Sequence, residues 1–220
     1  MKKYLILLAA LASLSANAND FSSASFGIQY GIDDGIADNA IDHAESDLGG
    51  YARLSWNFYK HFFADYNISY SSFEGPSFHS SNFSASANAS TTKQDFGIGY
   101  YLDLGSFAPY VKVNQNSYKL NYYSVRGNGT STPYVNSGTQ TEDGYGLEFG
   151  SFIHMSDTWK VKLSGSIAKL DNVDLIETYL ISDTKFNNDK WALEAAIGYR
   201  TFKGEDMAEF MPQIGVKYAF

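Results

Sequence analysis

Apolar and polar residues alternate along most of this chain, most clearly from Phe210 to Phe220. Phe210, Pro212, Ile214, Val216, Tyr218 and Phe220 hold the even positions, while Gln213 and Lys217 fall among the odd ones. A pleated strand sends successive side chains to opposite faces, so this segment predicts a strand with one apolar and one wet face.

The same pattern recurs along the chain. Phe26, Ile28, Tyr30 and Ile32 share one face of a first strand. In the second, Ala52, Leu54, Trp56 and Phe58 oppose Arg53. Ala64, Tyr66, Ile68 and Tyr70 then alternate with Asp65, Asn67 and Ser69, and Phe96, Ile98, Tyr100 and Leu102 with Asp95, Gly97, Gly99 and Tyr101. Further strands carry Val111 and Val113 against Lys112 and Asn114, Tyr145, Leu147 and Phe149 against Glu148, and Trp159, Val161, Leu163 and Ile167 against Lys160, Lys162 and Ser164. Trp191, Leu193, Ala195, Ile197 and Tyr199 against Glu194, Gly198 and Arg200 precede the closing strand.

Connections near 59–61, 103–107 and 154–158 are short, whereas Asp33 to Gly49, Ser72 to Thr92 and Lys119 to Asp143 read as long polar loops. Short turns at one end and long loops at the other are the pattern of a transmembrane barrel. If both termini lie on the same side, the strand number is even. A further strand is therefore expected over Asp174 to Ser182, where alternation is poor, with a turn near Asp183 to Lys190. The expected fold is all-β, an antiparallel up-and-down barrel of ten strands, with eight as the alternative.

The aromatics sort with that topology. Trp56, Phe58, Trp159, Trp191, Tyr218 and Phe220 fall at the short-turn ends, and Tyr30, Tyr70, Tyr145 and Tyr199 toward the other rim. Two belts separated by strands of about ten residues match a tilted membrane crossing. The closing Tyr218-Ala219-Phe220 resembles the last strand of small bacterial outer-membrane β-barrels of the OmpA-like and OmpX-like kind. The resemblance implies residence in the outer membrane of a Gram-negative envelope and contact with its lipid and lipopolysaccharide. It also implies insertion by a β-barrel assembly machinery that reads Tyr218 and Phe220.

Composition refines this. Lys2 and Lys3, an apolar run and Ala16-Asn17-Ala18 predict a secretory signal peptide over residues 1–18, leaving 19–220 as the barrel domain. The net charge of -8 becomes more negative once Lys2 and Lys3 are removed, which argues against a nucleic-acid partner. With Cys 0 there is no disulfide framework and no lipid-modified cysteine.

The register sends Arg53, Asp65, Lys93, Asp95, Lys112, Glu148, Lys160, Lys162, Glu194, Arg200 and Lys217 into the lumen. Mixed charges in a narrow barrel can satisfy one another, and an unpaired buried charge is very costly. A lumen filled by ion pairs is the first reading, and a narrow, weakly selective channel lined by the same residues is the alternative. Inward glycines such as Gly99 and Gly150 leave room for bulky interior groups. The acidic stretch Asp33 to Asp47 does not make an EF-hand: from Asp34 to Glu45, Ile36 takes the third position and Asn39 stands where Gly is required. His79-Ser80-Ser81 with Glu74 is the one local grouping for a lipid-directed active site, in a Ser/Asn-rich stretch where such neighbours arise by chance. The expectation is a monomeric barrel, not an enzyme, without cofactor or metal, whose role is structural or surface interaction through its loops. A lipid-modifying enzyme is the third reading, and the loop ligand is left open.

Overall fold

A computed structural model describes residues 20–34, 45–46, 48–74, 78–80, 83–128, 134–186, 190–203 and 207–220. The expected signal peptide, the centre of the acidic stretch with Asp38 and Asp42, and the side chains of Glu74, His79 and Ser80 lie outside what is described.

Among the described residues, ten strands close into an antiparallel up-and-down barrel. They are β1 (Ser23–Tyr30), β2 (Leu48–Tyr59), β3 (Phe62–Glu74), β4 (Phe83–Tyr101), β5 (Phe107–Asn128), β6 (Tyr134–His154), β7 (Trp159–Leu170), β8 (Asp174–Phe186), β9 (Trp191–Lys203) and β10 (Met207–Ala219). Three short pieces lengthen the ladders: Ile32–Asp34 against β10, Glu45–Ser46 against β3 and Phe78–Ser80 against β4. Closure is the pairing of β1 with β10, from Ser23 opposite Ala219 to Gln29 opposite Gln213. No edge is left over along this seam, so the backbone donors and acceptors there are satisfied, as a lipid environment demands.

Following paired residues from Gly27 through Tyr51, Ser69, Lys93, Tyr118 and Glu142, and on around to β10, returns to β1 roughly a dozen residues displaced, a stagger that tilts the strands by about 40°. Two tight turns at the short-turn end depend on left-handed backbone, at Lys60 (φ 45) and Gly105 (φ 83). Asp103 accepts the Gly105 N–H at 3.0 Å and steadies the second of them.

The expected strand over Asp174 to Ser182 exists as β8 and continues to Phe186. Its alternation is weak because Leu175 and Ile181 face inward and are buried while Thr178 faces outward. Two expected long loops are mostly strand instead. β5 has 22 residues and β6 has 21, so Lys119 to Asn128 and Tyr134 to Asp143 continue the ladder, as do Ser72 to Glu74 and Phe83 to Thr92. Above the membrane both faces of a strand meet water, so the hydrophobic alternation fades while the Ser, Thr, Asn and Tyr composition still suits a sheet.

The outer wall is apolar through its middle: Phe26, Ile98, Val113, Phe149, Leu163 and Ile167 are all exposed. A contiguous apolar surface of this kind requires a lipid-like neighbour. Phe58, Trp159 and Trp191 stand exposed at the short-turn end, and Tyr30, Tyr70, Tyr145 and Tyr199 at the opposite rim. The Trp191 ring lies 4.9 Å from that of Tyr218, which in turn lies 6.3 Å from that of Phe220.

Candidate functional site

The lumen holds the chemistry. Because side chains alternate, each strand delivers every second residue inward, and the closed wall brings groups distant in sequence to within hydrogen-bond reach.

At the short-turn end lies an apolar layer. Phe21, just ahead of β1, is buried among Phe63, Tyr101, Ala108, Tyr110 and Phe152. Its ring stacks on Tyr101 at 4.2 Å and meets Phe152 edge-on at 5.0 Å. Two wall glycines make room for this layer. A Cβ on Gly99 would lie 2.3 Å from the Phe63 ring, and one on Gly150 2.5 Å from the Tyr110 hydroxyl. Next to Phe21, Asp20 accepts from Lys160 at 2.8 Å and lies 2.7 Å from His154 Nε2. Asp20 precedes the membrane-crossing strands. Burial alone would raise its pKa, but the Lys160 ammonium, aided by His154 and Lys217, carries it below the usual carboxylate range.

Above this layer the lumen is charged. Lys217 bonds Asp183 at 2.8 Å. Arg53 donates to Glu194 and Gln213, and Tyr51 donates to Glu194 at 2.8 Å. Lys112, 1% exposed, reaches Asp65 at 3.0 Å, Asp95 at 3.3 Å and Glu148 at 2.7 Å. Lys162 also lies 3.4 Å from Glu148. Lys93 bridges Asp95 and Glu177, and Asn67 donates to Asp95 at 2.8 Å. Arg200 gives Nε to Glu177 at 2.8 Å and Nη1 to Glu209 at 2.7 Å.

Arg200 thereby joins two arms. One runs through Glu177, Lys93, Asp95 and Lys112 to Glu148. The other runs from Glu209 through Ser71, Gln29 and Gln213 to Arg53 and Glu194. Toward the outer rim a second apolar layer, Tyr118, Ala168, Leu170, Leu175 and Phe202, covers the network, with the Tyr118 and Phe202 rings 4.8 Å apart.

Among the described residues, two small cavities lie within this network. One cavity of about 40 Å³ lies among Lys93, Asp95, Glu177 and Tyr179, and another of about 50 Å³ among Asp20, Phe21, Asp65, Asp183 and Lys217. Arg53, Asn67 and Lys162 line both. Since one water needs roughly 10–15 Å³ on this measure, each holds only a few waters. Neither could take a cofactor, and among the described residues no group of three or more His, Cys, Asp or Glu is disposed to hold a metal.

Every charged residue assigned to the lumen from the sequence points inward here and has at least one partner of opposite charge. Asp20, Glu177, Asp183 and Glu209 join that set in the structure without having been assigned to it from the sequence. Glu209 shares the parity of Gln213 and Lys217 and was open to the same argument. Glu177 and Asp183 were hidden by the irregular pattern of β8, and Asp20 lies ahead of the first strand, where no register applies.

A family model described as "Outer membrane protein beta-barrel domain" matches residues 5–220. Among solved structures, the translocator domain of autotransporter NalP from Neisseria meningitidis aligns with a TM-score of 0.60 and 13% identity, covering 100% of this chain and 95% of that one. The outer membrane protease OmpT from Escherichia coli aligns with a TM-score of 0.51 and 7% identity, covering 94% of this chain and 99% of that one. Ail, the attachment invasion locus protein of Yersinia pestis, has a TM-score of 0.43 and 11% identity, with 90% of this chain and 97% of that one covered. For NalP and OmpT, at these identities, the likeness is one of fold alone. No curated protein matches the sequence.

Proposed function

The chain belongs to the outer membrane protein β-barrel family, and from that membership we propose a closed, non-catalytic barrel with a structural or surface-interaction role in the outer membrane. The observation that carries this reading is the two-armed network of ion pairs and hydrogen bonds around Arg200, within which, among the described residues, lie cavities of about 40 and 50 Å³. A solute path would have to break several buried pairs at once, and each break leaves an uncompensated charge at a cost of about 3–5 kcal/mol. The surface that remains for interaction is the projecting part of β3 to β6, rich in Ser, Thr, Asn and Tyr. Lipid and lipopolysaccharide are its neighbours in this reading, with an extracellular ligand as a further partner. The mature chain is proposed to act as a monomer from residue 19 onward, after cleavage behind Ala18. Tyr218 and Phe220 are proposed to be read by the assembly machinery.

Planar-bilayer recording on the refolded protein tests the closed lumen. No unitary conductance is expected. Reproducible conductance that is lost on neutralising Arg53 or Lys112 would replace this reading with the narrow channel. One feature favours that second reading: Arg53 and Lys162, 18% and 19% exposed at their side chains, stand where the two cavities meet.

A further inference from the structure

The polar chamber of the lumen is bracketed by two apolar layers that differ in construction. The outer one, Tyr118, Ala168, Leu170, Leu175 and Phe202, consists of residues on β5, β7, β8 and β9. They cannot leave without unzipping the sheet. The inner one has its centre in Phe21, which lies outside the sheet, since β1 begins at Ser23. Phe21 is 2% exposed and contacts rings from β3, β4, β5 and β6, so it fills the mouth between them. Its removal would leave a hole bordered by Phe63, Tyr101, Tyr110 and Phe152, directly below the cavity of about 50 Å³ that Phe21 itself helps to line.

From this we infer that Asp20 and Phe21 form a removable stopper that seals the short-turn mouth of the barrel, with Asp20 as its electrostatic latch. The ring supplies the seal and the carboxylate the anchor, through Lys160 on β7 and His154 at the end of β6. The backbone is tied at 3.2–3.3 Å, by Ser55 donating to the Phe21 carbonyl, the Asn57 N–H donating to the Ser22 hydroxyl, and the Phe220 N–H donating to the Ser22 carbonyl. The bond between Phe220 and Ser22 continues the β1–β10 register by one pair, and the other two lie past the end of the β1–β2 ladder. Local opening starts at the fraying ends of ladders, and this segment lies at the end of the β1–β10 ladder. Withdrawal would admit water to Lys217, Asp183 and Asp65 from below, while the outer layer keeps the lumen shut from above. The inference rests on the closed lumen proposed above and says which end of it can open.

The chain has no cysteine, so single reporters can be placed at Ala108, 4% exposed in the inner layer, and at Ala168, 2% exposed in the outer one. In the refolded full-length mature barrel, an impermeant maleimide should label Ala108→Cys and Ala168→Cys equally slowly. Adding Phe21→Ser should speed labelling of Ala108→Cys about ten-fold while leaving Ala168→Cys unchanged. Asp20→Ala keeps the ring and removes the latch, and should give a smaller acceleration in the same direction. Fast labelling of Ala108→Cys with the stopper intact, indifference to both substitutions, or parallel acceleration at Ala168→Cys would each overturn the inference. The readout is accessibility rather than conductance, so it separates failure of the stopper from failure of the closed lumen.

Discussion

Lys112 Nζ stands 2.7 Å from a carboxylate oxygen of Glu148, on neighbouring strands of the wall, and the same ammonium also serves Asp65 and Asp95. One ammonium therefore stands among three carboxylates, of which Asp95 also pairs with Lys93 and Glu148 with Lys162. Replacing it with Met is expected to destabilise the refolded barrel by about 3–5 kcal/mol, because Asp65 keeps its desolvation and loses its ion pair, and Asp95 and Glu148 each lose one of two. Urea unfolding followed by tryptophan fluorescence measures the loss. Adding Asp65→Asn should recover part of it, and no recovery would contradict the charge-burial account.

Arg200 supports a sharper comparison. Its planar guanidinium divides between Glu177 and Glu209, which a lysine ammonium cannot match with the same geometry. Arg200→Lys should therefore cost stability, on the order of 1–3 kcal/mol, despite preserving the charge. Equal stability of the two proteins in urea would refute a geometric role for the fork.

Gly99 tests the packing of the inner apolar layer. Its missing Cβ would collide with the Phe63 ring and stand 2.9 Å from the Val111 carbonyl oxygen. Gly99→Ala is expected to cost about 1–3 kcal/mol by overpacking. Phe63→Leu in the same chain should relieve the ring clash and return part of that loss in the same unfolding assay.

The Asp20 latch predicts a pH dependence. Its folded pKa lies below the unfolded one, so the unfolded chain takes up the proton first as pH falls. The contribution is complete above the ordinary carboxylate range and disappears as pH drops through the lowered folded value. The Tm difference between the parent and Asp20→Asn should be constant near neutrality and shrink on acidification. A difference that widens in acid would contradict the direction of the shift.

Tyr218→Ala and Phe220→Ala separate assembly from stability. Both residues are only partly buried. Once refolded in vitro, each variant should lie within about 0.5 kcal/mol of the parent. In cells, the amount reaching the outer membrane should fall. Normal surface levels for both variants would remove the assembly role.

Much of this barrel was legible where the wall meets lipid, because there one face must be apolar and the other faces the lumen. Arg53, Lys112 and Glu194 could be assigned inward from parity alone. Legibility failed where that contrast is missing. In β8, Leu175 and Ile181 turn inward to pack, and the carboxylates of Glu177 and Asp183 were lost with the pattern. In the upper parts of β4, β5 and β6 water lies on both sides, so strand read as loop. Phe21 keeps the inward parity of Ser23, Ser25 and Gln29 but stands ahead of the first alternating run, and the contacts of Asp20 and Phe21 show only in the rings and cations that meet them.

The long strands have a consequence for what the protein can display. β5 has 22 residues, and once about ten have crossed the bilayer the remainder rises roughly 30 Å beyond it as paired sheet. Its shape is held by main-chain ladders rather than by any particular side chain. A surface built in that way can exchange the groups it shows to the outside while the scaffold underneath stays as it is.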